Sequence, residues 1–180
     1  ILSGSLSISS VPGFGVSLLP KTLVHYKEKF PAVTINIFEG GSLQIEEEVK
    51  TEKVDLGFVA ISNKHVYDKN DHLIFKQLVK GQVMACVGQK SSLAPRNSIS
   101  LKELFNYPIV PFKPNYQMYN RILNILEKYG EPNIMFNSGS SMVGKQILTE
   151  GIGVGFCSSV TIQNDPFFLS GKMLAIPISD

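Results

Sequence analysis

Three short stretches of this chain collect hydroxyl groups and glycines where a strand-like pattern gives way to a helical one. They are Ser9-Ser10-Val11-Pro12-Gly13-Phe14-Gly15, Glu39-Gly40-Gly41-Ser42 and Asn137-Ser138-Gly139-Ser140-Ser141. The first backbone N–H groups of a helix have no partner within it. Together with the positive end of the helix dipole they suit an anion, worth roughly 0.3–1 kcal/mol at an exposed terminus and up to ~2 kcal/mol in a sheltered one. Ordinary helix capping accounts for the composition of any single turn, but three built alike point to a ligand held in common. None of them carries Arg or Lys, which argues against a phosphate-rich nucleotide.

The remaining chemistry-bearing residues are less well placed. Gly151-Ile152-Gly153-Val154-Gly155 has the glycines of a dinucleotide loop, but that loop must follow a strand and open a helix. Here it follows a helix and opens a strand, so it reads as a helix exit. His65, Asp68, Asp71 and His72 crowd one polar segment without a familiar zinc spacing, and a solvated loop explains them. His25 falls on the polar side of a helix, and Glu46, Glu47 and Glu48 form a solvated charge run. No Gly-x-Ser-x-Gly elbow is present, and no His partners a serine at a strand end. General acid or base work has Glu39 as its sole carboxylate candidate in the three turns, and Glu39 more naturally faces solvent or caps a helix. No enzyme, metal or cofactor is therefore expected. Cys86 and Cys157 lie in apolar surroundings, 71 positions apart, and read as buried reduced thiols rather than a disulfide or a redox sensor.

The elements that must position the turns follow from periodicity. Leu6 to Val11, Val33 to Phe38 and Val54 to Val59 read as strands. Leu19, Leu23, Tyr26 and Phe30 mark a helix that Pro31 ends, and Ile45 and Val49 mark another. Strand, helix, strand, helix, strand with connections of this length favours a parallel sheet with right-handed crossovers, whose carboxyl ends are where ligands of open α/β sheets bind. Residues 61–72 read as a surface loop and residues 73–79 as a further strand. A second α/β half starts near Lys80-Gly81. It holds a strand from Val83, a capping box at Ser100-Leu101-Lys102-Glu103, strands at 107–111, 133–136 and 154–157, and helices through Ile122 and through Ile147 that stop at Gly130 and Gly151. Two turns come from the first half and one from the second, so a ligand touching all three is expected between two lobes.

Composition agrees with a binding domain. The 180 residues suffice for two lobes of roughly 80–100 residues each. Seventeen Lys and Arg against fifteen Asp and Glu leave a net charge of +2, which disfavours direct grip on a phosphate backbone. At 43% hydrophobic and 18% charged residues, disorder is excluded. No uninterrupted apolar run is long enough to span a bilayer. The chain opens at Ile1 with no secretion-signal pattern and closes on a strand-like Ile176-Pro177-Ile178, and it reads as a fragment of a longer protein.

Gly4-Ser5-Leu6-Ser7-Ile8, Leu18-Leu19-Pro20, Phe30-Pro31 with Val33, Glu39-Gly40 and Asp55-Leu56-Gly57-Phe58, in that order, resemble the effector-binding domain of LysR-type transcriptional regulators. Ser92-Leu93-Ala94, Ser100-Leu101-Lys102-Glu103-Leu104 and Gly151-Ile152-Gly153-Val154-Gly155 continue the match across essentially the whole chain. The resemblance implies an α/β, two-lobed, periplasmic-binding-protein-like (type 2) fold: two sheets flanked by helices, with an interlobe cleft. It implies residues 1–80 and 174–180 in lobe I, incomplete at the C-terminus, and 81–173 in lobe II. An N-terminal helix-turn-helix domain, absent from this chain, would bind DNA. The implied ligand-binding residues are Ser10, Gly13 and Phe14, Ser42 and Leu43, and Asn137 and Ser138. The implied partners are a small organic or inorganic anion as effector and further copies of the chain in a homodimer or homotetramer. The implied place is the cytoplasm, with no membrane contact. An extracytoplasmic solute receptor of a transporter shares the fold and is the alternative. Ser158 stands where many members carry Pro, and Gly13 where some carry a hydroxyl residue. If the hydroxyls of Ser10 and Ser42 contact the ligand, replacing both by Ala abolishes binding.

Overall fold

The computed structural model describes residues 2–61, 73–111 and 117–179. The chain divides into two compact units, Ile1–Val79 and Lys80–Asp180.

In the first unit, β1 (Gly4–Ser10) leads through the short helix α1 (Phe14–Ser17) and α2 (Leu19–Lys29) to β2 (Val33–Glu39). The chain then continues through α3 (Ser42–Lys50) to β3 (Leu56–Phe58). The sheet is parallel in the order β2-β1-β3, with Ile8 beside Ile37 and Leu56. α2 closes at Phe30, one residue before Pro31, as a missing N–H requires. The core is small: Ile8, Leu19, Val33, Ile45 and Val54 are buried. Gly57 lets α3 lie directly on the sheet, since a Cβ there would stand 2.5 Å from Ile45 Cγ2.

The second unit is built on an antiparallel sheet. β4 (Val83–Gly88) lies between β5 (Gly155–Ser158) and β6 (Met173–Pro177). Its helices are α4 (Leu101–Leu104), α5 (Gln117–Leu126), α6 (Ser141–Thr149) and α7 (Pro166–Leu169). Alternation along β4 feeds two cores. Ala85 and Val87 join Leu104, Ile122, Leu126 and Phe156, while Cys86 joins Leu148, Cys157 and Met173. The capping box forms as the sequence spells it: Ser100 Oγ accepts from Glu103 N–H at 3.2 Å, and Ser100 N–H donates to Glu103 Oε2 at 3.0 Å.

Several expectations are corrected. Residues 174–180 belong with the second unit, because β6 hydrogen-bonds along β4, Ile176 is buried opposite Ala85, and Ile178 bridges to Ile99. Residues 73–79 form no strand. The runs at 107–111 and 133–136 make single bridges, Ile109 to Ile134 and Ile109 to Val154, rather than ladders. The segment holding His65, Asp68, Asp71 and His72 lies outside the described residues.

Candidate functional site

In a parallel sheet all carboxyl ends lie on one side, and in the first unit hydrogen bonds tie those ends together. Gly40 N–H donates to the Ser10 carbonyl at 3.2 Å, and Val11 N–H donates to the Phe58 carbonyl at 3.0 Å. Ser42 Oγ donates to the Ala60 carbonyl and accepts from Ala60 N–H, both at 3.1 Å. The turns carrying Ser10, Gly13 and Phe14 and carrying Ser42 and Leu43 are thereby brought to one edge of one sheet. Gly13 has a φ of 80°, the left-handed region open to glycine. Phe14 stacks on Phe58 with ring centroids 4.7 Å apart. Leu43 points outward, 62% exposed. Asn137 and Ser138 lie in the second unit, immediately before α6, with Asn137 exposed and Ser138 buried.

The hydroxyls themselves are engaged. A serine hydroxyl has one proton to give. Ser10 gives it to the Val11 carbonyl at 3.1 Å, Ser42 to Ala60, and Ser138 to the Ser140 carbonyl at 2.9 Å. Ser138 Oγ also accepts from Ser140 N–H at 3.1 Å, so it closes its own turn as Ser42 closes the β3–α3 corner. The donors left over belong to the main chain. Neither α3 nor α6 has a side-chain cap. Their first helical bonds are Ile45 N–H to Gly41 and Gly144 N–H to Ser140. The amides of Ser42, Leu43 and Gln44, and of Ser141, Met142 and Val143, therefore precede the hydrogen-bonded ladder. Sequence reasoning points to the hydroxyls of these turns, whereas in the structure those hydroxyls bond within the fold and the main-chain amides at the helix starts do not. It also passed over Ser9, whose Oγ is fully buried without a hydrogen-bond partner among the described residues. Strand alternation puts Ser9 on the face opposite Ser10, beside Gly57 and beneath α3.

The glycine run at Gly151 is a helix exit. Gly151 N–H donates to the Leu148 carbonyl at 2.9 Å, and Gly151 and Gly153 take φ values of 84° and 75° before β5 opens. His25 is an exposed partner of Glu28 at 3.2 Å. Cys86 and Cys157 are both buried and free, and burial, reinforced by Cys157, pushes the Cys86 thiol well above its ordinary pKa. A protonated, sealed thiol is a poor nucleophile. Among the described residues no cluster of His, Cys, Asp and Glu is fit to hold a metal, and no helix is long and apolar enough to cross a membrane.

The chain is α/β, in two units, with helix N-termini that lack side-chain caps following strand ends, and it has the periplasmic-binding-protein-like, type 2 fold. The family model described as the LysR substrate binding domain matches residues 2–180, and the chain belongs to that family. Over 157 residues it is 25% identical to the uncharacterized HTH-type transcriptional regulator YwbI of Bacillus subtilis (strain 168), covering 86% of this chain and 50% of the relative. Over 158 residues it is 24% identical to the HTH-type transcriptional regulator CysB of Burkholderia cenocepacia, covering 87% and 49%. The chain thus spans about half the length of these relatives. Among solved structures, the Synechocystis PCC6803 CcmR regulatory domain in complex with 2-PG superposes with a TM-score of 0.80 at 15% identity, covering 98% of this chain and 82% of that one. The BenM effector binding domain with its effector benzoate superposes with a TM-score of 0.73 at 20% identity, covering 100% and 79%. At these identities the likeness speaks for the fold.

Proposed function

We propose that this chain is the effector-sensing domain of a LysR-type transcriptional regulator, and that its effector is a small anion received by main-chain amides. The observation that carries the reading is the engagement of the three serine protons beside uncapped helix starts. What remains to meet a ligand is a set of N–H donors, and these select an acceptor-only group such as a carboxylate, sulfate or phosphate. The curated relatives are named as helix-turn-helix regulators, which supports the regulator over the transporter receptor. In this reading DNA is bound through an N-terminal helix-turn-helix domain outside this chain, the protein works in the cytoplasm, and no reaction is catalysed. Ser10, Gly13, Phe14, Ser42 and Leu43 shape one half of the ligand site, and the turn at Asn137 and Ser138 serves the same ligand, as the family resemblance implies. The domain acts as a homodimer or homotetramer, in keeping with exposed Val24 on α2 and Met142 and Val143 on α6.

A ligand shifts such a protein between states only by its differential affinity for them, and inverting a 1:99 population takes about 10⁴-fold. The test is a thermal-shift screen of small carboxylates, sulfates and phosphates against the chain. A true effector at 100 times its Kd adds about 2.7 kcal/mol of stability. If cations or neutral compounds alone stabilise the protein, the anion reading fails.

A further inference from the structure

The sheet of the second unit gathers sulfur on one face. Cys157 of β5 stands opposite Met84 of β4, two positions before Cys86. Across the other edge of β4, Cys86 stands opposite Ala175, two positions after Met173 in β6. Alternation therefore turns Met84, Cys86, Cys157 and Met173 to the same side. Cys86, Cys157 and Met173 are buried in one cluster, and half-buried Met84 packs against it. The Cys86 thiol hydrogen-bonds to Cys157, and Cys157 Sγ donates in turn to the Met84 carbonyl at 3.8 Å. Beside them lies the largely buried ion pair of Lys145 and Asp165, whose two charges both act on Cys86. Both cysteines of the chain and two of its five methionines thus share one face, where an apolar core needs no sulfur.

We propose that this face is a binding site for a soft monovalent metal ion, Cu(I) or its analogue Ag(I), held by Cys86, Cys157 and Met173 with Met84 beside them. Thiolate and thioether ligands select such ions, whereas carboxylate and carbonyl oxygens suit Mg(II) and Ca(II). A structural Zn(II) site takes four ligands from Cys, His and carboxylates, and only the two thiols here are of that kind. As a sulfur–metal bond forms, one thiol releases its proton to solvent. A monovalent ion then enters without adding net charge to a buried site, where an unpaired charge is costly. The unbranched side chain of methionine lets a thioether settle on the ion with little repacking. Because Cys86 is sealed, the ion gains entry only through local opening of the sheet.

The test uses the reduced 180-residue chain without oxygen, with Cu(I) delivered from a competing chelator and Ag(I) in chloride-free buffer. Native mass spectrometry should find one ion per chain, and the ultraviolet thiolate-to-metal band should rise to one equivalent. A site formed in the folded chain raises the unfolding midpoint, whereas an ion that only captures thiols of the unfolded chain lowers it. Uptake should reach a limiting rate set by opening of the sheet and not by ion concentration. Cys86→Ser and Cys157→Ser should each weaken binding at least about a hundredfold, and Met173→Leu about tenfold. Met173→Leu conserves core volume, so it reports on the ligand even where a serine variant fails to fold. Zn(II) should leave the midpoint where it was. No uptake against the chelator, a lowered midpoint, equal stabilisation by Zn(II), or wild-type affinity in Met173→Leu or in a folded serine variant would overturn the site.

Discussion

Ser42 is a turn residue whose hydroxyl is already committed to the fold. Its hydroxyl binds both the N–H and the carbonyl of Ala60, 18 positions along the chain, and so sets the height of α3 over β3. Ser42→Ala removes both bonds between the buried Ser42 hydroxyl and Ala60, which is exposed so that water can take its place, and costs about 0.5–1.5 kcal/mol. Chemical denaturation should show that loss, while calorimetry with an anion found by screening should show affinity changed by less than the loss of a direct contact. The complementary variant is Ser141→Pro. Ser141 is the first helical residue of α6, and Ser140 before it is extended at φ −124° and ψ 125°, so proline fits and removes one amide. Weakened binding at unchanged stability is expected, and the reverse pattern in the two variants would return the ligand contact to the hydroxyls. The turns themselves were legible in the sequence because small residues and hydroxyls announce a helix start. The direction of each hydroxyl proton was not, because the Ala60 partner of Ser42 is set by where β3 ends in space.

Elements were legible where local chemistry specifies them. Ser100 and Glu103 spell a capping box, and both of its bonds are made. Phe30-Pro31 ends α2, and the strand–helix–strand spacing of the first unit gave its parallel order. Residues 73–79 read as a strand because alternation says that a segment is extended but is silent on what it pairs with, and the same silence left the placement of 174–180 to the family resemblance. The pairing of β6 beside β4 is decided by which faces of Ala85 and Ile176 can be buried together, a long-range fact. The capping box carries a pH signature. The Ser100 amide and hydroxyl, then Arg96, hold the Glu103 carboxyl below its ordinary value of 4.5. A carboxyl depressed in the folded state contributes stability fully present above its unfolded pKa and lost as pH falls through the folded one. Unfolding measured from about pH 5 to about pH 3 should therefore fall less steeply in Glu103→Gln than in the wild type. Part of the slope will remain, because the Lys90 ion pair lowers Glu150 in the same window. Packing makes a further demand on α3. Gly57→Ala drives a carbon to 2.5 Å from Ile45 Cγ2, so overpacking should cost about 1–3 kcal/mol, read as a lowered midpoint of unfolding.

For the whole molecule, the proposed assembly makes the sharpest demand. Each unit has a buried core of its own, yet α2 leaves Val24 62% exposed and α6 leaves Met142 63% and Val143 52% exposed. In a closed dimer with twofold symmetry every contact occurs twice, so α2 of one copy against α6 of the other forms two equivalent patches. A single Val24→Glu substitution then inserts two carboxylates into apolar surroundings, an unpaired burial that association does not survive. Because Val24 is exposed within its own chain, folding should be untouched: circular dichroism and the unfolding midpoint at low concentration stay those of the wild type. Sedimentation should show the wild-type chain dimerising as concentration rises and Val24→Glu remaining monomeric, with Met142→Glu behaving alike from the other side of the same patches. A wild type that stays monomeric at high concentration, or a Val24→Glu chain that dimerises normally, removes these helices from the assembly and leaves the exposed side chains as plain surface.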